Sequence, residues 1–217
     1  MPEHSPKKSL SENAYSKIRD LIITLELKPG SKINESGLER DLEIGRTPVR
    51  EAFLRLVNEG FLTSIPGRGF FVREVTLDGV RALFEAVMIL ERGCIALAAR
   101  RISKEGISLL EEIHRKLKVA MAKGEYLQIT VLNSQFHQII HKASRNDLLV
   151  ASMNYLEPQY HRLAYLCFSE EAGGNELKEH FGKVTADHGN LIENLKLRDE
   201  QGAVDAITEH IRLFHAR

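Results

Sequence analysis

The chain of 217 residues has no tryptophan, two cysteines and only 6% aromatic side chains. So few aromatics argue against a stacking platform for single-stranded nucleic acid. Cys94 and Cys167 are too few for a disulfide scaffold. Both sit in apolar, helix-like runs and read as small buried hydrophobes of a reducing compartment, the cytoplasm. Neither sign of charge is in excess: thirty basic and thirty acidic side chains give a formal net charge of zero. That excludes a bulk polycation, although a local basic patch is enough to bind DNA. No apolar run approaches the roughly 20 residues that cross a bilayer. Behind the charged start there is no apolar stretch of a secretory signal, so residues 1–9 read as a disordered arm. What is present is ordinary: 43% hydrophobic and 28% charged residues suit a soluble, cored chain of one or two domains.

The pattern changes near Thr76–Asp78. Before it, short helical stretches alternate with Gly/Pro turns; after it come long amphipathic helices. The spacing of Leu10, Ala14, Ile18, Leu21, Ile22 and Leu25 predicts a first helix over Ser11–Glu26, with Ser9 and Glu12 at capping-box spacing. Leu27-Lys28-Pro29-Gly30 ends it. A short extended piece, Ser31–Ile33, leads to Asn34, the N-cap of a second helix that Gly45 breaks. Thr47-Pro48 then reads as N-cap and first position of a third helix, with Val49, Phe53, Leu56 and Val57 facing inward. Two β-rich runs, Phe61–Ile65 and Phe70–Arg73, flank Pro66-Gly67-Arg68-Gly69 as a hairpin. Residues 10–76 are thus expected to form a winged helix-turn-helix.

In that geometry the N-terminal residues of the second helix of the motif reach base edges in the major groove. Arg46, Thr47 and Arg50 lie there. An arginine fork bonds guanine O6 and N7 together. Two arginines at a helix start oppose the macrodipole, so their placement calls for a reason beyond solvation. Arg68 sits between glycines at the hairpin tip, where it can enter a minor groove or follow the backbone.

Four runs carry a resemblance. They are Leu27–Glu35, Gly45-Arg46-Thr47-Pro48-Val49-Arg50-Glu51-Ala52 with its continuation to Leu56, Glu59-Gly60-Phe61-Leu62, and Gly67-Arg68-Gly69-Phe70-Phe71-Val72. In this order the region resembles the DNA-binding domain of GntR-family bacterial transcription regulators. The resemblance implies DNA contacts at Arg46, Thr47, Arg50, Gly67 and Arg68. It also has departures: Ser36 stands where the family usually has a basic residue, and the turn Leu42-Glu43-Ile44-Gly45 lacks a hydroxyl at Gly45.

Residues 77–217 read as an all-α bundle of six or seven amphipathic helices, over about Leu77–Arg101, Lys104–Lys123, Tyr126–Ala143, Asp147–Phe168, Leu177–Leu197 and Asp199–His215. Breaks are expected at Gly124, Arg145-Asn146, Gly173-Gly174 and Arg198. Asn133 and His137, four residues apart, share a helix face; His188 and His210 lie on the last two helices. Imidazoles from several helices are how bundle cores build metal sites, but a lone histidine is more often structural. His141, His161 and His180 read as structural or surface residues.

The runs Leu132–Ile140, Ala143–Asn146 and Asp187–Ile192, with Glu209-His210, resemble the FCD-type ligand-binding domain of the FadR-like GntR subfamily. The resemblance implies a divalent metal, Zn²⁺ or Ni²⁺, at Asn133, His137, His188 and His210, with a small carboxylate effector beside it. Asn133 stands where the family has Asp, so the donor there is a neutral oxygen and affinity should fall. Val87 stands where the family often places an effector-binding Arg, one turn before Glu91.

The expectation is therefore a cytoplasmic, homodimeric, DNA-binding regulator, most often a repressor in this family. A small molecule in the helical domain would shift its operator affinity. A constitutive dimeric DNA-binding protein, with the helical domain only an assembly platform, is the alternative. An enzyme is not expected: a di-iron bundle needs two Glu-x-x-His motifs, and only Glu111/His114 has that spacing.

Overall fold

The structure, a computed structural model, describes residues 9–170 and 175–215. Of the arm expected at residues 1–9, residues 1–8 lie outside the described residues, as do the Gly173-Gly174 break and the Cys167 side chain, while Ser9 is the N-cap of α1. The chain divides into two compact units, Met1–Val75 and Thr76–Arg217.

The first unit contains α1 (Leu10–Ile23), α2 (Glu35–Leu42), α3 (Arg46–Asn58), β1 (Leu62–Ile65) and β2 (Gly69–Val72). Ser9 caps α1 by accepting from the Glu12 backbone N–H at 3.1 Å. The helix stops at Ile23 rather than Glu26, because the chain turns left-handed at Leu25 (φ 62°). Asn34 caps α2 through Gly37 N. The motif's turn differs from the expectation. The left-handed residue is Glu43 (φ 55°), and Gly45 is the extended N-cap of α3. Thr47 and Pro48 are therefore inside the first turn of α3. Proline is tolerated at the third position because the first N–H groups of a helix have no intrahelical acceptor.

β1 and β2 pair antiparallel, Leu62 opposite Val72 and Ile65 opposite Gly69. The extended Ser31–Ile33 piece adds a rung: Ile33 N donates to Phe70 O and Val72 N to Ser31 O, both at 2.9 Å. The alternation of the strands puts Phe70 and Val72 inside, where Phe70 meets Phe53 at 4.9 Å between ring centroids. Phe53 is fully buried, and removing such a side chain from water stabilises by about 1.5–3 kcal/mol.

The second unit has six helices among the described residues: α4 (Leu77–Arg101), α5 (Lys104–Lys123), α6 (Tyr126–Ala143), α7 (Asp147–Glu170), α8 (Asn175–Leu197) and α9 (Glu200–His215). Thr76 and Ser103 cap α4 and α5. Gly124, Arg145 and Arg198 turn the chain with positive φ between helices. Arg198 also donates to the carbonyls of Ala99, Arg100 and Ile102, so it satisfies the C-terminal end of α4. α4 touches α6, α7, α8 and α9 and is the centre of the bundle. Its inward stripe of Leu83, Val87, Ile95 and Ala98 packs with Phe136, Ile140, Leu191 and Ile207.

Candidate functional site

The first unit offers a basic surface built on α3. Val49, Ala52, Phe53 and Leu56 anchor the helix to the core. Arg46, Thr47 and Arg50 are exposed on its N-terminal turns. The Arg50 side chain is 50% exposed, with Nε 3.7 Å from Glu35 Oε2 at the start of α2. An exposed pair of this length is worth about 0–1 kcal/mol, so Arg50 can exchange it for another acceptor. Gly67 (φ 71°) makes the wing turn, closed by Arg68 N donating to Ile65 O. Arg68 is exposed, and its guanidinium carbon lies 5.6 Å from the Phe71 ring centroid. Ser36 Oγ donates to Asn34 Oδ1, so the hydroxyl that replaces the family's basic residue is turned onto the helix cap.

A second cluster fixes α3 against α1. The Arg55 guanidinium stacks 3.6 Å from the Tyr15 ring centroid and pairs with Glu12 at 2.8 Å and Glu59 at 2.9 Å. Tyr15 donates its hydroxyl to Glu59 at 2.7 Å. Burial and the Glu59 carboxylate push the phenol up to about 12. Rigid seating of the helix is what keeps the exposed arginines in one geometry.

The second unit holds a buried histidine centre. α6 contributes His137, α8 His188 and α9 His210; all three are buried, with ligand nitrogens within 4.8 Å of one another. His188 is wholly buried, its ring stacked on Phe136 at 4.0 Å between centroids and 2° between planes. Neither of its nitrogens has a hydrogen bond. Leaving a buried polar group unpaired costs about 1–3 kcal/mol, so nitrogens left bare together in one core suit an ion that would accept their lone pairs. Burial, and then the neighbouring His210, His137 and His114, hold the His188 imidazole well below its ordinary range. Burial lowers His210 as well, against the opposing pull of Asp187. Neutral imidazole is the form that binds a metal. The three histidines thus fit a divalent ion by burial and proximity, and His188 and His210 also by their preference for the neutral form.

Carboxylates stand behind two of these rings. Glu91 Oε1 is 3.1 Å from His137 Nδ1, and Asp187 Oδ2 is 3.5 Å from His210 Nδ1. Neither contact is yet a hydrogen bond, but with a metal on the far nitrogen a carboxylate on this side would orient the ring. Asn133, half-buried and one turn before His137, lines a narrow cavity of about 40 Å³ beside the centre, with Val87 and Glu91 on the facing wall. The structure thus brings together His137, His188 and His210 and puts Asn133 on the cavity wall.

The largest surprise is His141. It is buried, and its Nε2 lies 2.9 Å from Glu91 Oε1. Burial works against the charged imidazole, but the Glu91 carboxylate outweighs it and raises His141. Burial likewise opposes the Glu91 charge, yet His141 and His137 hold that carboxyl well below its usual range. Glu91, His137 and His141 form a second group with metal-ligand spacing. The signal was present in the sequence: Asn133, His137 and His141 continue one i, i+4, i+8 stripe. Glu157 was also unforeseen. It accepts from Ser134 Oγ and from Gln138 Nε2 at 2.8 Å, and it lies 3.5 Å from His161 Nε2.

Comparison with known proteins bears on both units. Residues 10–72 match the family described as bacterial regulatory proteins, gntR family, and residues 82–213 match the FCD domain. The HTH-type transcriptional regulator McbR of Escherichia coli (strain K12) is 32% identical over 190 residues, 84% of this chain and 80% of that protein. The HTH-type transcriptional repressor RspR of the same strain is 22% identical over 208 residues, 96% of this chain and 88% of that one. The solved structure of E. coli McbR/YncC covers 97% of each chain with a TM-score of 0.80 at 27% identity. No helix among the described residues is long and apolar enough to cross a membrane. The chain therefore belongs to the GntR family of bacterial regulatory proteins and is a DNA-binding transcriptional regulator with an FCD effector-binding domain.

Proposed function

We propose that this regulator is a cytoplasmic homodimeric repressor that reads a pseudo-palindromic operator. Residues 10–76 form the DNA-binding domain and residues 77–217 the effector-binding and dimerisation domain. Arg46 and Arg50 read base edges, Thr47 contacts the backbone, and Gly67-Arg68 places the wing along the duplex. The observation that carries this reading is the exposure of Arg46, Thr47 and Arg50 on the first turns of a helix whose opposite face is fully buried. The repressor role rests on the likeness to RspR. The test is selection of duplexes from a random pool by the wild type and by Arg50→Ala. A shared enriched motif in the wild type, lost in the variant, supports the assignment. Equal enrichment by both proteins refutes it.

In the helical domain, His137, His188 and His210 would hold a divalent ion, Zn²⁺ or Ni²⁺, with Asn133 offering a neutral oxygen. Such an ion supplies a fixed positive charge in the bundle core. The cavity against Glu91 and Asn133 takes the small-molecule effector, which favours one of the two DNA-binding states of the dimer. Calorimetry with Zn²⁺ on the wild type and on His188→Ala tests the metal; equal binding by both refutes the three-histidine site.

A further inference from the structure

The cavity beside the histidine centre has a chemistry opposite to that of a carboxylate receptor. Two acidic side chains, Glu91 and Glu157, line it, and no lysine or arginine does among the described residues. Glu91 is 4% exposed; its Oε1 faces His137 and His141, but its Oε2 has no hydrogen bond. Asn133 adds an amide to the lining. Val87 occupies the position one turn before Glu91, where a basic residue would have balanced that carboxylate. The imidazoles near by are already engaged: His141 lies 2.9 Å from Glu91 and His161 3.5 Å from Glu157. The remaining wall is apolar, with Val87, Met153, Leu156 and Ile211.

A buried carboxylate oxygen without a donor costs free energy until one arrives. An entering carboxylate would bring a third anion against Glu91 and Glu157, with no lysine or arginine in the lining to receive it and the His141 imidazole already paired to Glu91. An entering ammonium would bring three N–H donors and a charge that these acceptors stabilise, while its alkyl chain covers the apolar wall. The preference is that of the metal-free cavity, since a divalent ion on the three imidazoles would itself attract an anion. The volume of about 40 Å³ holds roughly three water-sized groups, the size of a short alkylammonium head.

We infer that the cavity of the FCD domain binds a small primary ammonium compound, with Glu91 and Glu157 as its anionic anchors, rather than a carboxylate. This rests on the reading of the cavity as the effector site. The test uses the full-length protein, stripped of metal and again loaded with Zn²⁺, and two probes of equal chain length, propylammonium and propionate. Thermal shift and saturation-transfer NMR report binding. In the metal-free protein propylammonium binds and propionate binds at least about tenfold more weakly, and Zn²⁺ narrows that difference. Glu157→Gln weakens propylammonium by about tenfold, and Val87→Arg reverses the preference toward propionate. Circular dichroism shows that each variant remains folded, and Glu157→Gln, on the half-buried side of the cavity, stands if Val87→Arg does not fold.

Propionate binding as tightly as propylammonium in the metal-free protein overturns the inference. So does the absence of propylammonium binding, or unchanged affinity in Glu157→Gln. The two readings separate when operator affinity is measured with each probe. Ammonium binding without a change in operator affinity leaves the cavity chemistry standing and removes the effector role. A carboxylate that shifts operator affinity does the opposite.

Discussion

Glu91 Oε1 lies 2.9 Å from His141 Nε2, and both side chains are buried in the bundle. A buried pair of this kind is not a strong source of net stability, because desolvating two charges offsets most of their attraction. Breaking one half is another matter, since the remaining charge is left without a partner.

The pair makes the metal-free protein pH-sensitive in a defined direction. His141 is raised above its ordinary value of 6.5, so its contribution is complete below pH 6.5 and is lost as pH rises through the folded value. Glu91 is lowered from 4.5, so its contribution is present above pH 4.5 and is lost as pH falls toward the folded value. The stability difference between wild type and His141→Gln should therefore be greatest between these limits and shrink above pH 6.5. Urea midpoints measured from pH 5 to 9 check this; a difference that does not vary with pH would refute it.

For the DNA surface, Arg46→Ala and Arg50→Ala should each weaken binding to the selected operator by roughly 1–3 kcal/mol, and to random DNA by less. Fluorescence anisotropy on both duplexes separates the two. Equal losses would make these arginines phosphate anchors only.

Gly45→Ser should strengthen the same interface. Gly45 is the N-cap of α3, makes no side-chain cap bond, and has open space where a Cβ would stand. A serine hydroxyl there can cap the helix, adding a few tenths of a kcal/mol to stability. In the proposed complex it would also offer a donor to a DNA phosphate. Tighter binding with an unchanged ratio of operator to random DNA is the expected result, and a changed ratio would contradict a phosphate role.

In the histidine centre, Asn133→Asp should tighten Zn²⁺ binding by adding a charge beside the cation, whereas His188→Ala should weaken it. Metal content by mass spectrometry after dialysis, with calorimetry on each variant, is the measurement. If the wild type stays metal-free in excess Zn²⁺ and Ni²⁺ at pH 8 while Asn133→Asp loads, Asn133 marks a pocket that has given up its metal.

The protein should be a dimer without DNA, since paired half-sites about one helical turn apart require two heads. Sedimentation equilibrium at micromolar concentration decides it, and a monomer would exclude the proposed assembly.

The local features of the fold were legible because local chemistry produces them. Ser9, Asn34, Thr76 and Ser103 sit at helix starts because a short oxygen-bearing side chain satisfies an orphan N–H. The winged motif followed from where periodicity 3.6 gave way to periodicity 2. Thr47-Pro48 carries a strong local signal for a helix start, but the left-handed turn at Glu43 moves the start of α3 to Arg46. His137, His188 and His210 are legible only through the family resemblance, and nothing local to His141 beyond the stripe it shares with His137 marks it out from a structural histidine. Its partner Glu91 is fifty residues away on another helix, and no local rule joins them. Periodicity determines which face of a helix is buried. Only the packing of α4 against α6 and α7 decided that this face carries Glu91 toward His141 and leaves its second oxygen buried without a donor beside an acidic cavity, because the charge balance of a pocket is summed over elements that meet only in three dimensions.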